Sequence, residues 1–151
     1  MKKPKVGIIV GSQSDLPVIE KVEQQIKEFG IEYEITVASA HRTPEKVEKY
    51  AKSAERKFDL IIAAAGMAAA LPGAVAAHTI LPVIGIPIHS KGLGGQDALF
   101  AIVQMPSGIP VATVAIDGAK NAAILAAQIL SLKYAGLKRK LKKFKTRLAQ
   151  G

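Results

Sequence analysis

The sequence predicts an α/β fold: a single-domain, three-layer, doubly wound parallel sheet with a C-terminal helix. Three observations carry that expectation. Short apolar, β-rich runs recur at residues 6–10, 33–37, 60–64, 83–86 and 111–114. Helical patterns lie between them, and strand alternating with helix is the order that gives a parallel sheet covered on both faces. A chain of 151 residues, 49% hydrophobic and 22% charged, is long enough for one sizeable core and too short for two comfortable domains, so residues 1–151 are read as one unit.

The elements follow in order. Residues 1–5 are lysine-rich but run straight into the first apolar segment with no small-residue cleavage site, which reads as a first strand, not a signal peptide. Leu16, Ile19, Val22, Ile26 and Phe29 keep the three-and-four spacing of a buried helix face, and Gly30 is placed to stop that helix. Val47, Tyr50, Ala51 and Ala54 mark a second helix. Its start is Thr43-Pro44-Glu45: a hydroxyl to cap an orphan amide, a proline suited to the first turn, and an acid at the positive helix end.

Residues 60–88 contain no Lys, Arg, Asp or Glu and are long enough to span a bilayer. Gly66, Pro72, Gly73, Pro82, Gly85 and Pro87 break the stretch, and its most apolar pieces are strand-sized. It is therefore expected to fold as strand, loop, helix and strand inside protein, with no membrane span. Residues 121–130 are apolar nearly all round, which predicts a helix buried on every side. So small a domain has too little core to enclose it alone, and a homo-oligomer is expected. A basic C-terminal helix over about 133–149 carries Leu137, Leu141, Phe144 and Leu148 on one stripe. The expectation is the plainer of the alternatives, a surface helix with one packed face, ahead of a helix lying on a membrane or docked on a neighbouring subunit.

Composition removes several function classes. There is no cysteine, so disulfides and thiolate metal sites are excluded and a reducing cytoplasm is the default expectation. The formal net charge of +9 invites a nucleic-acid reading, but residues 1–130 hold 13 basic and 12 acidic residues. The excess sits in the tail, from Lys133 to Arg147, and with 5% aromatics the stacking residues of a single-strand reader are scarce. No nucleic-acid partner is expected.

Ligands of an open parallel sheet bind in the loops after the carboxyl ends of the strands. The first such loop is Gly11-Ser12-Gln13-Ser14-Asp15, and the second Ser39-Ala40-His41-Arg42-Thr43. Glycine and the hydroxyls of Ser12 and Ser14 at a helix mouth offer an anion its donors, though Ser14 or Asp15 would equally serve as plain helix caps. Arg42 has the fork that grips phosphate, and His41 titrates near neutral pH; each is also an ordinary surface residue type. Asp15 fits a sugar hydroxyl. Together they describe a pocket for a small sugar phosphate beside one titratable group, which gives a ligand class and no reaction. His78, in an apolar helix, and His89, in a polar loop, are read as structural, and three histidines without paired ligand spacing predict no metal site.

Longer motifs go further. Beside the two loops above stand Ala65-Gly66 through Leu71-Pro72-Gly73, Pro82-Val83-Ile84-Gly85-Ile86-Pro87, Ile102-Val103-Gln104-Met105-Pro106, Gly108-Ile109-Pro110-Val111-Ala112-Thr113 and Asn121-Ala122-Ala123. Over most of its length the chain resembles the N5-carboxyaminoimidazole ribonucleotide mutase family, the catalytic subunit of the phosphoribosylaminoimidazole carboxylase system. The resemblance implies a flavodoxin-like or Rossmann-like fold, a homo-octamer and no metal or organic cofactor. It implies that Ser12 and Arg42 hold phosphate, with Ser14 beside them, that Asp15 holds ribose and that His41 is the acid and base. The implied reaction moves a carboxylate from N5 to C4 of the imidazole of a ribotide in purine biosynthesis.

One position departs from the pattern. Where the bacterial mutases read Ala-Ala-His-Leu-Pro-Gly, this chain reads Ala68-Ala69-Ala70-Leu71-Pro72-Gly73. The related carboxylases that use carbon dioxide directly also lack that histidine, so direct carboxylation of aminoimidazole ribonucleotide is the alternative; the remaining motifs follow the mutases. A non-catalytic, flavodoxin-like mononucleotide-binding module shares the fold. It would want aromatics in the strand-mouth loops, where Phe29, Phe58, Phe100 and Phe144 do not fall. A receiver domain would want an aspartate where Ala63, Ala64 and Ala65 stand.

Overall fold

Side chains alternate across a strand, and in the runs 6–10, 60–64 and 83–86 both faces of the alternation are apolar, so these strands can only lie in the middle layer. A computed structural model describes residues 2–151. Five parallel strands, β1 (Lys5–Val10), β2 (Glu32–Val37), β3 (Leu60–Gly66), β4 (Val83–Ile88) and β5 (Ala112–Thr113), form one sheet in the order β2-β1-β3-β4-β5. Val6, Ile8, Val10, Leu60, Ile62 and Ala64 face one layer, made of α1 (Leu16–Glu28), α5 (Ala119–Leu130) and α6 (Ala135–Ala149). Ile9, Ile61, Ala63 and Ala65 face the other, made of α2 (Pro44–Ala54), α3 (Leu71–Ala76) and α4 (Gln96–Val103). The uncharged stretch resolves into β3, α3 and β4, and no helix among the described residues is long and apolar enough to cross a membrane.

The first helix ends as its glycine requires. Gly30 sits at φ +69, its N–H donates to the Lys27 carbonyl at 2.9 Å, and the Ile31 N–H reaches back to Ile26 at 3.2 Å, the paired bonds of a glycine-terminated helix. The start of α2 differs from expectation. Thr43 makes no capping bond; its hydroxyl donates to the Ser39 carbonyl at 2.9 Å and accepts the Ser39 N–H at 3.0 Å, because the short loop from β2 has its own orphan groups to satisfy.

Packing within the chain bears on α5 and α6. On α5 it is the small residues, Ala119, Ala122, Ala123, Ala126 and Ala127, with Leu130, that are buried, while Ile124, Leu125 and Ile129 are half-buried. Within the chain this helix is therefore not buried on every side. The α6 stripe docks on its own chain: Leu137, Leu141 and Phe144 are buried in the α1–α5 core, and only Leu148 stays exposed, at 56%. Phe144 meets Phe29 edge-on at 5.6 Å between ring centres. Lys140 donates to the Phe29 carbonyl at 2.8 Å, placing a cation at the negative end of α1, and Arg147 pairs with Glu28. The plainer alternative, a surface helix with one packed face, is what the fold adopts.

Asp59, at the amino-terminal edge of the sheet, locks the turn before α6. It accepts the Lys5 N–H at 3.1 Å, the Tyr134 hydroxyl at 3.0 Å and the Lys133 ammonium at 3.1 Å. Burial alone would raise its pKa, but those three donors together hold it below the ordinary carboxylate value. A lowered native pKa adds stability at neutral pH that is lost as pH falls through the native value. Asp59→Ala is therefore expected to lower stability at pH 7 by about 1–3 kcal/mol, with the deficit shrinking in melts taken below about pH 4. Phe144→Ala, which empties a buried aromatic site, is expected to cost about 3–5 kcal/mol and to lower Tm on the order of 10 °C at any pH.

Candidate active site

Sheet winding reverses between β1 and β3, and a ligand crevice forms where the loops on either side of such a reversal part. The crevice here is a cavity of about 780 Å³, within the usual size for small-molecule sites. Loops after all five strands line it.

After β1, the short 3-10 turn Gln13–Asp15 leads into α1. Ser12, in extended backbone, caps that turn by accepting the Ser14 N–H at 3.3 Å, and the two hydroxyls lie 2.9 Å apart. Neither Ser14 nor Asp15 caps a helix with its side chain, so the plain capping role gives way and both face the cavity. Asp15 pays for its position: burial, then the negative charge of Asp117, raise its pKa above the ordinary value.

After β2, Ser39 and Thr43 brace the turn that presents His41 and Arg42, with the Ser39 hydroxyl accepting the Arg42 N–H at 3.1 Å. The Arg42 guanidinium reaches across to the Gly11 carbonyl at 3.3 Å, so the first two mouths touch through it. His41 lies exposed on the cavity wall. The five residues singled out from sequence, Ser12, Ser14, Asp15, His41 and Arg42, thus come together around one cavity.

The other walls hold what sequence reading passed over. His89, taken as structural, lines the cavity with Ser90, whereas His78 is exposed in the turn after α3. Asp117 lines it from beyond β5, the one strand mouth left unread; the position of Asp117-Gly118 after an apolar run was the available signal. Ala70 lines it too, so where the resemblance leads one to expect an imidazole there is a methyl group. Among the described residues, two non-glycines have left-handed backbone, Met67 at φ 55 and Asp117 at φ 57, and both are in this wall. Backbone conformations that cost free energy gather at sites where they are used.

Comparison with known proteins is consistent along the chain. Residues 5–151 match the family described as AIR carboxylase. The N5-carboxyaminoimidazole ribonucleotide mutase of Pyrococcus horikoshii is 61% identical over 95% of this chain and 81% of its own length. That of Thermotoga maritima is 59% identical, over 96% and 85%. Among solved structures, Treponema denticola PurE superposes with a TM-score of 0.89 at 38% identity, covering 98% of this chain and 93% of the other.

The raised pKa of Asp15 has a measurable consequence. A carboxylate whose native pKa exceeds its unfolded value costs stability once it ionises, and the cost sets in as pH rises from 3.8 through the native value. Asp15→Asn removes the ionisation, so the ligand-free variant is expected to melt above wild type at pH 7, with the gap closing as pH falls below the unfolded value. A melting series showing wild type ahead at neutral pH would contradict this origin of the shift.

Proposed function

Since this chain belongs to the AIR carboxylase family, we propose that it catalyses the N5-carboxyaminoimidazole ribonucleotide mutase reaction, moving the carboxylate from N5 to C4 of the imidazole in de novo purine biosynthesis. The observation that carries the reading is the grouping of Ser12, Ser14, Asp15, His41 and Arg42 around one cavity, in a chain that the Pyrococcus horikoshii and Thermotoga maritima mutases match along nearly its whole length. Direct carboxylation by carbon dioxide remains the comparison to make, because Ala70 stands at the departing position. N5-carboxyaminoimidazole ribonucleotide supplied alone should be converted; conversion only of aminoimidazole ribonucleotide with bicarbonate would assign the carboxylase reaction instead.

The site residues have these roles in the proposal. Ser12, Ser14 and the Arg42 fork hold phosphate, and Asp15 accepts a bond from a ribose hydroxyl. The N5–carboxylate bond breaks to release carbon dioxide while His41 gives N5 a proton. Carbon dioxide, kept in the pocket, is attacked by C4, and His41 takes the C4 proton, ending in the protonation state it began with. What supports this is reach and chemistry: His41 and Arg42 are successive residues of one turn, and Arg42 touches the loop that bears Ser12.

The chain assembles as a homo-octamer and works in the cytoplasm. Exposed Phe100, Val103 and Leu132, with the half-buried Ile124, Leu125 and Ile129, support subunit packing. Sedimentation should give eight times the chain mass.

Two substitutions separate binding from chemistry. His41→Asn is expected to bind the ribotide near normally and lose about two to four orders of magnitude in turnover, the usual worth of a positioned acid-base group. Arg42→Ala should instead raise KM far more than it lowers kcat, because phosphate is remote from the reacting carbon and its charge does not change during reaction. Steady-state and single-turnover assays of both variants would show the roles to be wrong if the two patterns were exchanged.

A further inference from the structure

Beyond β5 the chain continues alongside β4, and the pairing is carried on by irregular means. The Val114 N–H donates to the Gly85 carbonyl at 3.2 Å, and the Asp117 N–H donates to the Pro87 carbonyl at 2.8 Å. The next donor along that edge is the His89 N–H. No backbone carbonyl of a fifth strand meets it; the side chain of Asp117 does, with Oδ1 accepting at 2.9 Å. Asp117 delivers that oxygen from left-handed backbone, which aspartate tolerates better than most residues because its short polar chain bonds locally.

The bond holds the root of a glycine-rich segment. Between His89 and α4 stand Gly92, Gly94 and Gly95, the last two at φ +64 and +88. At its far end the segment rests on the same loop, since a Cβ at Gly95 would come within 2.7 Å of the Ile116 side chain and 3.2 Å of the His89 Cα. The β5–α5 loop thus grips the β4–α4 segment at both ends.

We propose that Asp117 is a positioning residue: by accepting the His89 N–H it fixes the glycine-rich segment 89–95, with His89 and Ser90, as one wall of the ribotide pocket. The inference rests on the ribotide reading of that pocket. It accounts for two costs the fold carries at this point, a non-glycine in left-handed backbone and a second carboxylate near enough to raise the pKa of Asp15. Neither cost would persist if glycine served as well.

The test compares Asp117→Gly, which suits the backbone and removes the acceptor, with Asp117→Asn, which keeps an acceptor oxygen and removes the charge. Amide hydrogen exchange over residues 89–95, Tm, and KM and kcat for N5-carboxyaminoimidazole ribonucleotide are read for each. Asp117→Gly is expected to exchange at least tenfold faster in that segment and to raise KM about tenfold, the order expected for loss of one charge-assisted hydrogen bond, with Tm within a few degrees of wild type. Asp117→Asn is expected to restore both toward wild type. Unchanged exchange and KM in Asp117→Gly would overturn the proposal, and so would an Asn variant as impaired as the glycine one, which would make charge and not the acceptor the operative feature. If the wild-type chain fails to convert the ribotide, the functional reading falls, while the exchange data still decide whether Asp117 holds the segment.

Discussion

The constraint on which the rest depends is the interior position of β1, paired in parallel with β2 on one side and β3 on the other. A first strand so placed forces the winding to reverse and directs three strand mouths at a single point. Hydrogen bonds carry the ladder past the strands: the Gly11 N–H donates to the Ala64 carbonyl at 3.1 Å, and the Ala38 N–H to the Val10 carbonyl at 2.9 Å. The loops bearing Ser12 and His41 are therefore registered against each other by backbone before any side chain acts. Sites whose parts are held by sheet hydrogen bonds need little reorganisation to meet a ligand, which is the condition for proximity to be worth anything in catalysis.

Stability and function occupy opposite edges of that sheet. At the amino-terminal edge, Asp59 is held below its ordinary pKa by three donors, and α6 closes over α1 with Phe144 against Phe29. At the carboxyl edge Asp15 is pushed above its ordinary pKa, and Met67 and Asp117 sit in left-handed backbone. Stabilising charge at one end and costly charge and backbone at the other is the pattern expected when a site is maintained against its own strain by the remainder of the fold. It also gives α6 a use that its charge does not reveal: its basic residues surround a stripe that completes the core behind α1.

How far the sequence could be read follows from what each signal encodes. Four strands fall within a residue or two of their apolar runs: in β1, β3 and β4, buried on both faces, the runs are near-continuous, and in β2, at one sheet edge, exposed Glu32 and Glu34 alternate with half-buried Tyr33 and Ile35. The fifth shrinks from 111–114 to Ala112–Thr113, the two residues in register with Ile84 and Gly85 of β4. Periodicity told which face of α6 is apolar but not what covers it, and hydrophobicity round α5 could not distinguish burial in the chain from burial in an assembly. His41, Arg42 and the Ser12 loop were legible because they immediately follow well-marked strands. Asp117 was not, because the strand before it is two residues long and its role depends on a bond to His89, 28 positions away.

Charge along the carboxyl edge of the sheet runs with the strand order. Arg42 stands at the β2 mouth, the hydroxyls of Ser12 and Ser14 at β1, and Asp117 beyond β5, with Asp15 close enough to feel its field. A ligand that satisfies this gradient is anionic at one end and rich in hydrogen-bond donors at the other, which is the description of a ribose phosphate. An extended polyanion such as a nucleic-acid backbone would meet Asp15 and Asp117 as well as Arg42 and be repelled by the two carboxylates. Under the proposed function the cavity would select by sign as well as by size. Asp15, whose ionisation lowers the stability of the free protein, is also a group that would repel a misplaced anion, so its cost and its use in selection have one physical origin.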